Sequence, residues 1–166
     1  MQAVTPPADE RAGPAHLLVV SHSRSGSTGR LRDAFLAGAE TGGGDEVEIR
    51  SLSCFDAGPD DVLWADALAL GTPANFGYMS GALKDFLERI YHACLGQTAG
   101  RPYVVFVKGD TDADGAVTSV SRIVAGLQWK AVLPPFAVVG PIEGHHLSEV
   151  EELGATLAAG LAAGIF

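Results

Sequence analysis

Apolar runs alternate along this chain with segments in which apolar residues recur every three or four positions. A short β-branched run predicts a strand, and the three- and four-residue spacing predicts one face of a helix. Each predicted strand stops at glycine, proline or serine, which commonly end strands. The pattern predicts five strands, at HLLVVS (16–21), EVEIRSLS (46–53), ADALALGTP (65–73), PYVVFVKG (102–109) and PPFAVVG (134–140).

Helices are predicted in the intervals between and after these strands. Parallel strands need helix-length connections, so five strands alternating with five helices predict a doubly wound α/β fold. Ligands of such sheets bind beyond the carboxyl ends of the strands, which makes the loops after the first, third and fourth strands the candidate site. The predicted helices cover Leu31 to Ala39, a short segment around Asp60 to Trp64, and the segments from about Ser80 to Cys94, Ala116 to Leu127 and Ser148 to Ala163.

The loop after the first strand is rich in hydroxyl groups: it reads Ser23-Arg24-Ser25-Gly26-Ser27-Thr28. Hydroxyls, the free N–H groups of a first helical turn and the positive end of the helix dipole together suit a phosphate dianion. The alternative is that Ser25 or Ser27 only caps the helix. Neither G-x-x-x-x-G-K-[ST] nor G-x-G-x-x-G occurs here, so the loop predicts a phosphate site of another kind.

Two motifs carry a family resemblance. S-R-S-G-S-T (23–28) resembles the phosphate-binding loop of the flavodoxin superfamily, and G-T-P-A-N-F-G-Y-M-S-G-A-L-K-D-F-L (71–87) resembles the corresponding segment of its NAD(P)H-dependent FMN reductases and quinone oxidoreductases. Order and spacing match from residue 16 to about 164. The resemblance implies a flavodoxin-like domain over residues 16–166, with a five-stranded parallel sheet in the order 2-1-3-4-5 and helices on both faces.

The same resemblance implies the cofactor and its neighbours. FMN would be held by residues 23–28, and its ring would lie beside Thr72, Pro73, Ala74, Asn75, Phe76 and Gly77, with Gly109 and Asp110 at its other end. Pro73 stiffens this loop, Gly77 permits close backbone approach and Phe76 offers a face for stacking. The alternative is that Phe76 and Tyr78 are ordinary, partly buried aromatics.

The function implied is an FMN-dependent oxidoreductase that uses NADH or NADPH to reduce a quinone or another small acceptor. The cofactor performs the hydride transfer, so no side chain is expected to be catalytic. The first alternative is a flavodoxin-type electron carrier without substrate turnover, and the second is a protein of this fold that has lost FMN. The resemblance also implies a homodimer or homotetramer whose neighbouring subunit helps to close the flavin site.

Composition narrows the partners. Eleven Lys and Arg against 20 Asp and Glu give a formal net charge of −9, which argues against nucleic acid and anionic membranes as partners. Residues 1–15 lack the features of a signal peptide and are expected to form a disordered tail. Cys54 and Cys94 suggest neither a disulfide framework nor a zinc site, so a cytoplasmic protein is expected. The apolar closing segment (153–166) is too short to span a membrane; it contributes to an interface or covers the sheet.

The third candidate loop departs from the family pattern. Asp110-Thr111-Asp112-Ala113-Asp114-Gly115 imitates the start of an EF-hand calcium loop, but the twelfth position is Ser121 and a strand precedes the loop. We therefore expect no metal, and expect an acidic loop at the rim of the ligand site. Glu143, His145 and His146 follow the last strand at the same edge, where surface groups without a role in the site are expected.

Overall fold

A computed structural model describes residues 13–166, and the predicted N-terminal tail falls mostly on residues 1–12, outside the described residues. Strands and helices alternate through the described chain as the hydrophobic pattern predicts. The first strand already includes Ala15. The elements are β1 (Ala15–Ser21), α1 (Ser27–Gly43), β2 (Val47–Ser53), α2 (Pro59–Trp64), β3 (Ala67–Asn75), β4 (Tyr78–Met79), α3 (Gly81–Cys94), β5 (Pro102–Gly109), α4 (Asp114–Gly126), β6 (Lys130–Ala131), β7 (Phe136–Val139) and α5 (Gly144–Ala162).

The strands form a parallel sheet in the order β2-β1-β3-β5, with β6 and β7 both pairing with β5. This confirms the predicted order 2-1-3-4-5, with the fifth strand divided in two. Pro134 and Pro135 lie between the two pieces, and prolines have no N–H to continue a ladder. The observed strand β7 therefore begins at Phe136, two residues after the predicted start at Pro134. The short β4 turns back antiparallel to the end of β3.

Helices cover both faces of the sheet, as predicted. Successive residues of a strand point to opposite faces, so β1 sends Leu17 to the core beneath α1 and α5, and Leu18 to the core beneath α2, α3 and α4. Both strand faces are buried, which explains the continuous apolar runs in the sequence. The largest fully buried side chains include Phe35, Phe86 and Phe106.

The C-terminal segment covers the sheet. Leu157 and Leu161 of α5 are buried in the core beneath α1 and α5. Gly38 and Gly42 of α1 leave no room for a Cβ against the α5 backbone, so the two helices pack in backbone contact. Of the two alternatives that the sequence left open for this segment, the structure shows the second. Among residues 13–166, no helix combines the length and apolarity that crossing a bilayer demands.

Three helices start before their predicted positions. α1 begins at Ser27, four residues before the predicted Leu31, and continues to Gly43, beyond the predicted end at Ala39. α4 begins at Asp114, two residues before the predicted Ala116, and α5 begins at Gly144, four residues before the predicted Ser148. The ring Nδ1 of His146 accepts the backbone N–H of Glu143 at 3.0 Å and closes the first turn of α5. A histidine acting in this way gives no standard capping signal in the sequence, whereas Ser148 does.

Candidate functional site

A cleft of about 210 Å³ opens at the carboxyl ends of β1, β3 and β5, which are neighbours in the sheet. This is the edge at which doubly wound sheets bind ligands. Its walls come from the loop after β1, the end of β3 and the end of β5. The lining residues are Arg24, Ser25, Ser27, Thr28, Pro73, Ala74, Asn75, Lys108 and Asp110.

The loop after β1, residues 23–28, is here called the hydroxyl loop. Gly26 is the N-cap of α1 with a φ of 97°, and no side chain caps the helix there. The hydroxyl of Ser23 instead accepts the N–H of Gly29 at 3.0 Å, which ties the start of the loop to the first turn. The alternative that Ser25 or Ser27 serves only as a helix cap is therefore wrong.

Several donors of the hydroxyl loop are unused within the protein. The hydroxyls of Ser25, Ser27 and Thr28 make no hydrogen bond to any other described residue, and the first-turn N–H groups of Ser27 and Thr28 find no acceptor there either. All of them lie at the N-terminus of a 17-residue helix, where the helix dipole favours an anion. Arg24 adds a formal positive charge to the same wall of the cleft. Such a wall is suited to binding phosphate.

The opposite wall belongs to the β3–β4 hairpin, residues 72–79. Thr72 is fully buried, donates its hydroxyl hydrogen to the carbonyl oxygen of Pro73 at 2.8 Å and accepts the N–H of Ser80 at 2.9 Å. Its hydroxyl is thus committed inside the protein, where it links the end of β3 to the start of α3. Ser80 caps α3, accepting the N–H of Leu83 at 3.2 Å.

The tip of the hairpin holds a strained aromatic residue. Asn75 pairs with Tyr78, so Phe76 and Gly77 form a two-residue turn, with φ values of 53° and 69°. Positive φ at both positions is the pattern of the type I′ turn, which favours Asn-Gly. A bulky side chain in the left-handed region costs about 1–2 kcal/mol. Phe76 nonetheless occupies this position with its ring fully exposed to solvent.

Helix α4 supports the hairpin from below. The N–H of Met79 donates to the buried Ser119 hydroxyl at 3.1 Å. Gly115, in the first turn of α4, leaves no space for a Cβ against the carbonyl group of Gly77. Next to its exposed tip, the hairpin is therefore hydrogen-bonded to α4 and packed against it.

Lys108 is a charged residue of the cleft that the sequence motifs do not predict as a site residue. Its side chain is only 10% exposed, and its Nζ donates to the carbonyl oxygen of Gly109 and to Oδ1 of Asp110, both at 3.0 Å. The available signal was a single charge at the end of an otherwise apolar strand, PYVVFVKG. Lys108 lines the cleft directly.

The acidic loop after β5 sends one of its three carboxylates to the cleft. Asp110 lines the cleft, whereas Oδ1 of Asp112 accepts the N–H of Asp114 at 3.0 Å, and Asp114 begins α4. Gly109 has no room for a Cβ because the carbonyl group of Asp112 folds back on it. Within the described range, no three His, Cys, Asp or Glu residues are grouped so that they could hold a metal ion.

A second exposed aromatic residue is found in the loop after β2. Phe55, in the loop after β2, is 67% exposed and meets the ring of His22 edge-on at 5.6 Å. Burial, assisted by the nearby Arg24 guanidinium, lowers the pKa of His22 below its ordinary value of 6.5.

Arg89 of α3 holds the loop after β2, because it donates to the carbonyl oxygens of Cys54 and Ala57. Burial also raises the pKa of the Cys54 thiol to about 12, which leaves it protonated and unreactive at neutral pH.

Two curated relatives resemble parts of the sequence. A flavodoxin from Aquifex aeolicus is 33% identical over 85 residues, which cover 51% of this chain and 45% of the flavodoxin. An NAD(P)H dehydrogenase (quinone) from Acidithiobacillus ferrooxidans is 27% identical over 126 residues, covering 64% of this chain and 63% of that protein. The chain thus spans less than half of the length of the flavodoxin and less than two thirds of the length of the dehydrogenase. No protein-family model matches it.

Solved structures resemble nearly the whole chain. A flavodoxin from the domain Archaea superposes with a TM-score of 0.77 at 20% identity, covering 88% of this chain and 98% of that one. A WrbA-like flavodoxin protein from Agrobacterium tumefaciens superposes with a TM-score of 0.71 at 17% identity, covering 90% and 99%. The chain has the flavodoxin-like fold.

Within this flavodoxin-like fold, most of the predicted site residues line one cleft. Those that do are Arg24, Ser25, Ser27, Thr28, Pro73, Ala74, Asn75 and Asp110. The other predicted residues lie beside the cleft without lining it, and several of them shape the loops that form its walls. They are Ser23, Gly26, Thr72, Phe76, Gly77 and Gly109.

The histidines after β7 take no part in the cleft. His145 lies 3.3 Å from a carboxylate oxygen of Glu143, and its ring centroid is 3.9 Å from that of His146. All three residues belong to the start of α5, and none lines the cleft. Their position at the carboxyl edge therefore reflects the way this helix begins.

Proposed function

We propose that the protein binds FMN in this cleft and uses NADH or NADPH to reduce a quinone or another small acceptor. The observation that carries the proposal is the hydroxyl loop, in which unused hydroxyls and amides gather at the N-terminus of α1. They face the Pro73–Asn75 wall of the same cleft. One site thus offers a phosphate-binding end and, a strand away, a place for a flat ring.

The residues of the cleft fit FMN in three respects. Ser25, Ser27 and Thr28 supply hydroxyl donors that have no partner among the described residues. Arg24 and Lys108 supply positive charge on a chain whose formal net charge is −9. The cleft of about 210 Å³ is smaller than the roughly 300–1,000 Å³ of sites that enclose a whole ligand. A mononucleotide bound here keeps part of its surface open to a second reactant.

The residues of the chain bind and orient, while the bound FMN supplies the hydride chemistry. The hydroxyl loop holds the phosphate through charge-assisted hydrogen bonds, which are stronger than neutral ones. Pro73 and Ala74 form the apolar part of the opposite wall, and the amide of Asn75 offers both a donor and an acceptor. The bond between Met79 and Ser119 keeps that wall in place.

Cofactor choice is the first test. A fluorescence-quenching titration of the apoprotein compares FMN with riboflavin, which lacks the phosphate. We expect FMN to bind at least 100-fold more tightly, because the hydroxyl loop contributes only to the phosphorylated ligand. Equal affinities would contradict a phosphate site in this loop. A purified protein that is colourless and fails to bind added FMN would support the second alternative, a fold that has lost its cofactor.

Hydride transfer is the second test. Anaerobic stopped-flow mixing of the FMN-loaded protein with NADH or NADPH follows the flavin absorbance, and a quinone is then added to reoxidise it. We expect bleaching by at least one nicotinamide, and ping-pong kinetics because both substrates use the same exposed part of the cofactor. Dithionite reduction serves as the control for a functional flavin.

A flavodoxin-type electron carrier is the second candidate function. The observation in its favour is the 33% identity to a flavodoxin over 85 residues, together with the formal net charge of −9. Reduction by dithionite and by a partner reductase, with no response to either nicotinamide, would support the carrier. A homodimer or homotetramer is part of the enzyme proposal, and sedimentation velocity of the FMN-loaded protein tests it.

A further inference from the structure

Lys108 lines the candidate site at the carboxyl end of β5, a strand in the interior of the sheet. Its register partners are Pro73 on β3 and Val138 on β7, so strands flank it on both sides. Its side chain is only 10% exposed and lines the cleft. A nearly buried charge is costly unless a partner compensates it, and a lysine in such a place is a candidate for function.

Among residues 13–166, the ammonium group of Lys108 donates to two acceptors. Two of the three ammonium hydrogens are used, by the carbonyl oxygen of Gly109 and by Asp110. The carboxylate of Asp110 is 97% exposed, so water competes for it and the ion pair is weak. The formally charged residues that line the cleft are Arg24, Lys108 and Asp110, which makes its lining net positive on a net negative chain.

We propose that Lys108 acts as an electrostatic residue that raises the reduction potential of the bound flavin. The inference rests on the FMN site proposed above. Lys108 lies in register with Pro73, on the wall proposed for the ring, whereas the phosphate donors follow β1. A hydride carries one hydrogen nucleus and two electrons, so a bound flavin ring that accepted it would gain one negative charge. A nearby ammonium stabilises that charged form over the neutral oxidised form.

Asp110 opposes this effect while it remains charged. Its carboxylate lines the same cleft, 3.0 Å from the ammonium. Asp112 and Asp114 do not line the cleft. The charges of Lys108 and Asp110 would therefore act on a bound flavin with opposite signs, and removing each one alone should shift the potential in opposite directions.

The test measures the midpoint potential of bound FMN by equilibration with reference dyes at fixed pH and salt. Lys108→Met should lower the ratio of reduced to oxidised flavin at a given potential about tenfold, which corresponds to about 30 mV for a two-electron couple. Lys108→Arg keeps the charge and should restore most of the shift. Lys130→Met is the matched control, because Lys130 pairs with the opposite end of β5 at Pro102 and is exposed.

Asp110→Asn keeps the test decisive if the Lys108 variants fold poorly, since that side chain is almost fully exposed. It should raise the potential, opposite in sign to Lys108→Met. Dissociation constants for FMN and riboflavin accompany each potential. A Lys108→Met variant that loses affinity for FMN alone, with an unchanged potential, would assign Lys108 to the phosphate and overturn the proposal.

Failure of the inference and failure of the proposed site give different results. If the parent protein binds no FMN, both are wrong. If FMN binds but neither Lys108→Met nor Asp110→Asn moves the potential relative to Lys130→Met, the electrostatic role of Lys108 alone is wrong, and the FMN site stands.

Discussion

The amino edge and the carboxyl edge of the sheet, where its parallel strands begin and end, differ in how their polar groups are bonded. At the amino edge, the ring of His16 stacks on Trp64 at 4.2 Å and its Nδ1 lies 2.9 Å from the carbonyl oxygen of Trp64. The guanidinium of Arg50 lies 3.9 Å from the Trp64 ring centroid and bonds to Asp61 at 2.8 Å. These four side chains therefore contact one another through hydrogen bonds and ring contacts.

At the carboxyl edge, comparable groups are left without partners. Ser25, Ser27 and Thr28 keep unused hydroxyls among the described residues, and Phe76 holds a strained, fully exposed position. Both edges belong to one sheet with one pair of cores, so stability does not explain the difference. Groups that pair with each other maintain the fold, and groups left unpaired where strands end mark the place for a ligand.

The largest expected effect follows from placing a negative charge among the unused donors. Ser25→Glu should weaken FMN binding by 100-fold or more, about 2.7 kcal/mol, because a carboxylate repels the phosphate that a hydroxyl would bind. Its free energy of unfolding should stay close to that of the parent. Fluorescence titration measures the affinity, with Ser121→Glu on exposed α4 as the matched control. Unchanged FMN affinity would contradict the phosphate site proposed at this edge.

The converse variant acts on the paired edge. Trp64→Ala should lower the free energy of unfolding by about 2 kcal/mol, because it removes the ring that contacts His16, Arg50 and the neighbouring core. FMN affinity should be unchanged. Urea unfolding gives the stability, and Trp64→Phe, which keeps an aromatic face, should recover most of it. A large loss of FMN affinity in a folded Trp64→Ala protein would show that the two edges are coupled.

Variants of Phe76 test whether a strained residue at the carboxyl edge lowers stability but supports function. Phe76→Asn produces the preferred Asn-Gly type I′ turn and should stabilise the apoprotein by about 1 kcal/mol, while slowing turnover of the FMN-loaded form. Gly77→Ala is the opposite control: it has open space around it but a φ of 69°, so backbone strain alone should destabilise it by about 1 kcal/mol. Thermal denaturation measures both. A less stable Phe76→Asn would mean that the exposed ring itself contributes to the fold.

The smallest expected effect concerns the pH dependence of the carboxyl edge. The pKa of His22 is lowered in the folded protein, so below about pH 6.5 the unfolded chain binds the proton more readily. The contribution of His22 to stability is therefore fully present above that pH and declines as the pH falls. His22→Gln should flatten the loss of stability between pH 7 and 5, and His92→Gln, an exposed change on α3, should not. Urea midpoints across this range provide the measurement.

The fold was largely predictable from the sequence because its signals are local. Apolar runs such as that of β1 and the three- and four-residue spacing in α1 and α3 identify the elements without any knowledge of their neighbours. The misplaced start of α5 shows the limit, since it depends on the ring of His146 accepting a backbone N–H. Likewise, the division of the fifth strand appears only when β6 and β7 are seen to share β5.

Both loops of the candidate site can be identified from the sequence, since the hydroxyl loop and the 72–79 segment each carry a motif of consecutive residues. Which of their side chains reach the cleft depends on the tertiary structure. Thr72 is committed inside the protein, Phe76 extends into solvent, and Lys108 enters the cleft from a strand that reads as core. The direction of a side chain depends on strand register and on elements packed from far along the chain, such as α4 beneath the hairpin. A motif specifies which residue types are available, and long-range packing determines which of them a ligand can contact.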